Sequence, residues 1–258
     1  MRETRASDAL IGDITTRQAE RQRSNFFLTL DELRRLAETD TVSAQAFDGG
    51  LYIFCRRGNC EDMYYWLEKG TAPVAPVRRD LPLVLTLTQL AAKESSPTQA
   101  EWEAAGLAQY LTRMRLVLPQ KNMQIDSERA LTFAKADQLD ALHALMADSF
   151  EPLTSAIPSK NELLAYILAQ RVLVRMEDGR FLGFIHFEPQ GSTCMIWHVA
   201  AAERGRGVGT ELMRDLTYHQ QSAARVLIWV RDDNAAALRL YEKSGFTPDG
   251  RIAPVMIL

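Results

Sequence analysis

Glycines stand at three alternate positions, 205, 207 and 209, where the apolar run CMIWHV (194–199) gives way to a segment with Leu212, Met213 and Leu216 at helical spacing. No other feature restricts the fold as much. A strand has to end there, a helix has to begin, and the joint carries no side chain at three places. The unpaired N–H groups of a first helical turn, reinforced by the helix dipole, make a site for an anion. Absent side chains let an elongated phosphate lie close to the backbone, and Arg204 and Arg206 add positive charge. The loop lacks the Gly-Lys-Ser/Thr end of a Walker loop, and hairpins rather than a strand–helix–strand unit precede it, which sets aside a Rossmann first turn. On the glycines alone, a plain glycine-rich connection fits equally well.

The surrounding text alternates strands and helices. ALTFA (130–134) reads as a short strand, with Asp137 as N-cap of a helix carrying Leu139, Leu142 and Met146. Ser159 caps a second helix with Leu163, Leu164 and Ile167. VLVRM (172–176) and FLGFIHF (181–187) are strands turned at Glu177-Asp178-Gly179, and Gly191-Ser192 turns the chain into the strand ending at Val199. After the glycine loop and its helix come the strand VLIWV (226–230), Asn234 as a cap, a helix with Ala237, Leu240 and Tyr241 on one face, and Gly245 as its left-handed terminator. RIAPVMIL supplies the last strand.

Bulk properties exclude more than they identify. The 258 residues allow one large domain or two small ones. Thirty Lys and Arg against 33 Asp and Glu leave a charge of −3, which gives no support for nucleic acid as a partner. No apolar run reaches the roughly 18 residues of a membrane helix, and the N-terminal MRETRASDALIGDITTRQAERQR lacks the apolar core of a signal peptide, so no membrane partner and a cytoplasmic address are expected. Cys55, Cys60 and Cys194 have neither metal-ligand nor disulfide-framework spacing, and no metal is expected.

Arg204-Gly205-Arg206-Gly207-Val208-Gly209, followed in order by the strand, Asn234, Tyr241, Gly245 and Phe246, resembles the pyrophosphate loop and the later strand–Asn–helix–Tyr block of the GNAT superfamily of N-acetyltransferases. One departure is Ala201, where family members usually have proline. The resemblance covers 127–258 and implies acetyl-CoA as co-substrate and a small-molecule or peptide amine as acceptor. It places the pyrophosphate over Arg204, Gly205, Arg206, Gly207, Val208, Gly209 and Thr210, the thioester carbonyl near the N–H of Val199, Asn234 as a helix cap or cofactor contact, and Tyr241 as the general acid that protonates the departing thiolate.

A general base is harder to place. Alternation puts Thr193, Met195, Trp197 and Val199 on one strand face and Cys194, Ile196 and His198 on the other. The residues expected to face substrate are not bases, and His198 faces away unless a bulge intervenes. His186 and Glu188 share a face of the preceding strand.

The first half reads as a worn copy. LYIFCRRGNCEDMYYWLEKG (51–70) aligns without gaps on VLVRMEDGRFLGFIHFEPQG (172–191), VLTLTQL (84–90) matches VLIWV, and WEAAGL (102–107) matches YEKSGF (241–246), with Trp102 in the tyrosine position. TAPVAPVRRDLP stands where the glycine loop and its helix belong, a deficit of about 18 residues between paired glycines. Thr29 caps a short helix from Leu30 to Leu36, Tyr64, Tyr65 and Trp66 pack as core or line a cleft, and 119–128 is a linker. The expected fold is α+β, tandem GNAT-like domains, each a mixed, mostly antiparallel sheet flanked by helices: 1–122 without a cofactor loop and 123–258 catalytic. The alternative function is a non-catalytic acyl-CoA-binding sensor or scaffold.

Overall fold

The computed structural model describes residues 2–5, 23–25, 42–90, 97–125, 131–203 and 205–258, and the helix expected at 30–36 lies outside them. The chain forms two compact units, Met1–Thr112 with Arg251–Leu258, and Arg113–Gly250.

In the first unit, β1 (Arg2–Arg5), β3 (Val42–Phe47), β4 (Gly50–Arg57) and β5 (Cys60–Leu67) form an antiparallel ladder, with β2 (Arg23–Ser24) against the end of β5. Next, β6 (Leu83–Thr86) runs parallel to β5, with Glu61 opposite Leu83 and Met63 opposite Leu85. The C-terminal residues Val255–Ile257 pair antiparallel with β6, and Arg251 and Ile252 pair with β7 (Gln89–Leu90). A capping box starts α1 (Gln99–Ala104): Glu101 Oε2 accepts the Thr98 N–H at 2.7 Å, and Thr98 Oγ1 accepts the Glu101 N–H at 3.3 Å. Trp102 on this helix is fully buried, its ring 4.9 Å from Tyr65 and 5.9 Å from Tyr52. Tyr65 and Trp66 are likewise buried, and Tyr64 is half-buried.

From α1 the chain enters β8 (Ala108–Pro119), whose residues Arg113–Pro119 belong to the second unit, where they pair antiparallel with β13 (Arg225–Arg231). That unit's sheet runs β9 (Thr132–Phe133), β10 (Val172–Glu177), β11 (Arg180–Gln190), β12 (Thr193–Ala201), β13, β8. All neighbours are antiparallel except β12 and β13. Leu142 and Met146 of α2 (Leu139–Ser149) and Leu163 and Ile167 of α3 (Lys160–Leu168) cover one face with Val172, Val174 and Phe184. Leu212, Met213 and Leu216 of α4 (Val208–His219) and Tyr241 of α5 (Ala235–Lys243) cover the other with Leu173, Ile185, Cys194 and Ile196. The last strand, β14 (Thr247–Ile257), contributes its first residues to this unit and the rest to the other.

The compact units divide at 112 and 250, with Arg113–Pro119 paired in the second and Val255–Ile257 in the first. Three expectations change in detail. The segment expected as a linker is strand at Pro119 and a 3₁₀ turn at Gln120–Asn122. Asp137 is not a cap: it sits inside a 3₁₀ turn, Ala136–Gln138, where Gln138 Oε1 accepts the Lys135 N–H at 2.8 Å. The hairpin alignment slips by one strand. The parallel pair β5–β6 corresponds to β12–β13, so 60–67 matches 193–201 rather than 181–188. Alternating apolar strands look alike in successive hairpins, and a period of two does not distinguish them. With the match corrected, residues 68–82 of the first unit stand against 202–224 of the second, and only the latter contain a helix. Trp102 and Tyr241 do correspond: each carbonyl accepts the N–H five residues on, at 3.1 and 3.0 Å, beyond a left-handed glycine.

Candidate active site

Strand β12 ends at Ala201, and α4 starts one residue after Gly207. Gly205 and Gly207 adopt φ of 82° and 77°, the left-handed region open to glycine, and a Cβ at either would project into open space. Gly209 serves packing instead, since a Cβ there comes within 2.8 Å of a Leu240 methyl on α5. The loop and helix start border a cavity of about 560 Å³, lined by Gly205, Gly207, Val208, Gly209 and Thr210, by Val199–Glu203, and by Asp148 and Leu240 across from them. Bare backbone at the start of a helix is the kind of surface that binds a phosphate. The guanidinium of Arg206 is held by Glu177 and Glu203, so two carboxylates offset its charge. Arg204 lies outside the described residues.

The parallel ladder of β12 and β13 runs from Thr193 opposite Arg225 to Ile196 opposite Ile228 and stops there, although both strands continue. The Ala202 N–H donates to Leu182 O on the β11 side at 2.8 Å. Backbone groups alternate along a strand, so the Val199 N–H points the other way, into the gap that β13 has left. A second cavity of about 200 Å³ opens in this gap. Tyr241, Asn234, His198, Trp197, Trp229 and Arg113 are among its walls, and Val199 and Ala237 line both cavities.

A bulge does intervene on β12. His198 pairs with His186 and Ile196 with Phe187, leaving Trp197 without an opposite residue. The extra residue turns His198 from the α4 face to the α2–α3 face, where its ring meets Phe150 edge-on at 5.0 Å. His198 Nε2 lies 2.7 Å from Ser155 O, so it carries the proton and donates. His198 Nδ1 therefore accepts from His186 Nδ1, 3.2 Å away in a stacked pair. Burial, foremost, pushes both imidazoles down, His186 to about 3. Both ring nitrogens of His198 are thus engaged, Nε2 as donor and Nδ1 as acceptor, and no lone pair is left to take a proton from a ligand in the cavity. Neither His186 nor Glu188 lines either cavity; Glu188 holds Arg171 and the Trp197 indole N–H.

Tyr241 is 5% exposed, its ring 5.7 Å from Phe246, and burial alone holds its phenol well above the usual range. It therefore stays protonated at neutral pH. Asn234 is a cap, its Oδ1 accepting the Ala237 N–H at 3.1 Å. Sequence reasoning missed Arg113, Phe150, Trp197, Trp229 and Arg231 as cavity walls. Trp197 and Trp229 read only as strand residues and the others belong to no motif; the end of the parallel ladder brings them together. Among the described residues no cluster of histidine, cysteine and carboxylates is arranged to hold a metal, and no helix is long and apolar enough to cross a membrane.

Residues 139–246 match the model of the acetyltransferase (GNAT) family. Solved structures with a similar fold include a GCN5-related N-acetyltransferase from Sphaerobacter thermophilus (TM-score 0.62, 14% identity, 89% of this chain and 85% of that one). An acetyltransferase of the GNAT family from Colwellia psychrerythraea is similar over 100% of both chains (TM-score 0.61, 10% identity). A tandem GNAT protein from the clavulanic acid biosynthesis pathway is similar over 84% of this chain and 81% of that one (TM-score 0.53, 13% identity). At such identities the likeness is one of fold. No match was found among curated proteins.

Proposed function

We propose, from the match of residues 139–246 to the acetyltransferase (GNAT) family model, that the protein moves an acetyl group from acetyl-CoA to a primary amine by direct attack. The observation that carries this reading is the junction of the two cavities at Val199 and Ala237, with Tyr241 on the inner one. When bound, acetyl-CoA supplies an activated thioester. Backbone amides of Gly205–Gly209 cradle its pyrophosphate at the start of α4, beside Arg206. The Val199 N–H, aimed into the gap, stabilises negative charge on the carbonyl oxygen. The protonated phenol of Tyr241 donates to the leaving sulfur. With His198 engaged on both nitrogens, the amine loses its proton to water. The first unit, with Trp102 where the acid stands and no helix in residues 68–82, acts structurally rather than as a second cofactor site.

Thiol release from acetyl-CoA over an amine panel tests the assignment. Tyr241→Phe is expected to lower kcat by about a hundredfold or more at unchanged thermal stability. Equal turnover in the two proteins would remove Tyr241 from the mechanism. The saturated hydrogen bonding of His198 favours one other reading, an acyl-CoA-binding sensor. Calorimetric binding of CoA without turnover of any amine would support it.

A further inference from the structure

The loop that follows α2 is built to a single shape. Glu151 Oε1 accepts the Leu153 N–H at 2.7 Å, and Oε2 accepts the Thr154 N–H at 2.9 Å and the Thr154 hydroxyl at 2.7 Å. Ala156 then adopts φ of 46°, a left-handed backbone that alanine keeps only where its surroundings impose it. Two side chains from the sheet supply that constraint. The Nε2–H of His198 donates to Ser155 O at 2.7 Å, on the residue just before Ala156, and its ring receives Phe150 edge-on at 5.0 Å. Arg113 donates to Thr154 O, one residue earlier, at 2.6 Å. The imidazole is itself fixed: it is buried, stacked on His186 with 8° between the ring planes, and its Nδ1 accepts the His186 Nδ1–H. A carbonyl has no proton to give, so the contact with Ser155 O keeps the proton on Nε2. Phe150, Thr154, Ser155 and Ala156 wall the inner cavity and do not border the outer one, which holds the glycine loop.

Resting on the acetyl-transfer reading above, we propose that His198 is a positioning residue for the acceptor. Its Nε2–H holds Ser155, and through it Ala156, as the wall against which the amine is seated. The outer cavity takes the phosphate-bearing part of the co-substrate, so this loop wall of the inner cavity is left to the acceptor. No proton passes through His198 in this role: it acts as a fixed N–H donor, and water takes the amine proton.

Two amide substitutions test this, because neither carries a basic nitrogen and they differ in reach. The amide nitrogen of glutamine extends to the place of Nε2 and keeps a donor for Ser155 O, whereas that of asparagine stops at the place of Nδ1. Amine KM and kcat come from thiol release, CoA affinity from calorimetry, and the order of the loop from hydrogen exchange of a peptide spanning 150–158. His198→Asn is expected to raise the amine KM about tenfold or more at unchanged CoA affinity and to speed exchange in that peptide. His198→Gln should recover most of both losses. Equal KM and equal exchange in the two variants overturn the proposal, as does a fall of about a hundredfold in kcat in both, which would make His198 the base. If no amine is acetylated even by the wild type, the acetyl-transfer reading fails separately. The exchange pattern then still decides: protection lost in His198→Asn and regained in His198→Gln supports the hold on the loop, and equal protection in all three proteins overturns it.

Discussion

His186 is kept neutral by burial, by the stacked ring of His198 and by the charge of Arg171. Its Nδ1 has a partner, whereas its Nε2 is buried without one. The pH consequence has a definite sign. In the folded protein the imidazole titrates near 3 rather than near its unfolded value of 6.5, so the unfolded chain binds more protons between those limits. The stabilisation is therefore complete above pH 6.5 and is lost as pH falls towards 3. The melting temperature of the wild type should drop across that window, and His186→Phe should flatten the slope there, whatever it does to stability at neutral pH. An unchanged slope would mean that carboxylates alone set the acid limb.

At the scale of elements, the site depends on how closely β11, β12 and α4 approach one another. A Cβ at Gly183 of β11 would meet Ala200 O at 2.6 Å, Val208 Cγ1 at 2.9 Å and the Ala201 Cα at 3.1 Å. Two of these are backbone atoms of β12 and the third opens α4, so nothing can yield without moving the glycine loop. Gly183→Ala should cost about 1–3 kcal/mol in denaturant unfolding and weaken CoA binding by calorimetry. Gly205→Ala meets open space and carries only the left-handed backbone penalty, about 1 kcal/mol. Equal effects of the two would refute the close-approach explanation. Gly205, Gly207 and Gly245 were legible in the sequence because each marks a strand-to-helix joint or a helix end with a fixed backbone demand. Trp197 was not, because a bulge inserts one residue without altering the apolar alternation on either side. The same blindness shifted the hairpin match by one strand, while the Trp102–Tyr241 correspondence survived because a helix terminator pins it.

For the whole molecule, the repeat in the sequence suggests two halves that could be cut apart near residue 122, and the pairing of the closing strands opposes such a cut. β13 has β12 on one side over only four residue pairs, and on the other it has Arg113–Pro119 over seven. Leu116 and Leu118 from that segment are buried in the core that contains Tyr241, Val226 and Ile228. Arg115 binds Asp249 through Nε at 2.8 Å and lies 5.7 Å from the Trp229 ring. A fragment beginning at 123 loses all of this and leaves β13 as an unpaired edge directly beside the inner cavity. The two leucines alone are worth about 3–6 kcal/mol of burial, comparable with the whole stability of many domains. Residues 113–258 should therefore unfold cooperatively by circular dichroism and bind CoA, whereas 123–258 should show a broad transition or aggregate, with little CoA binding. Comparable stability of the two fragments would mean that the site is built by residues 123–258 alone, and that the preceding strand only borders it.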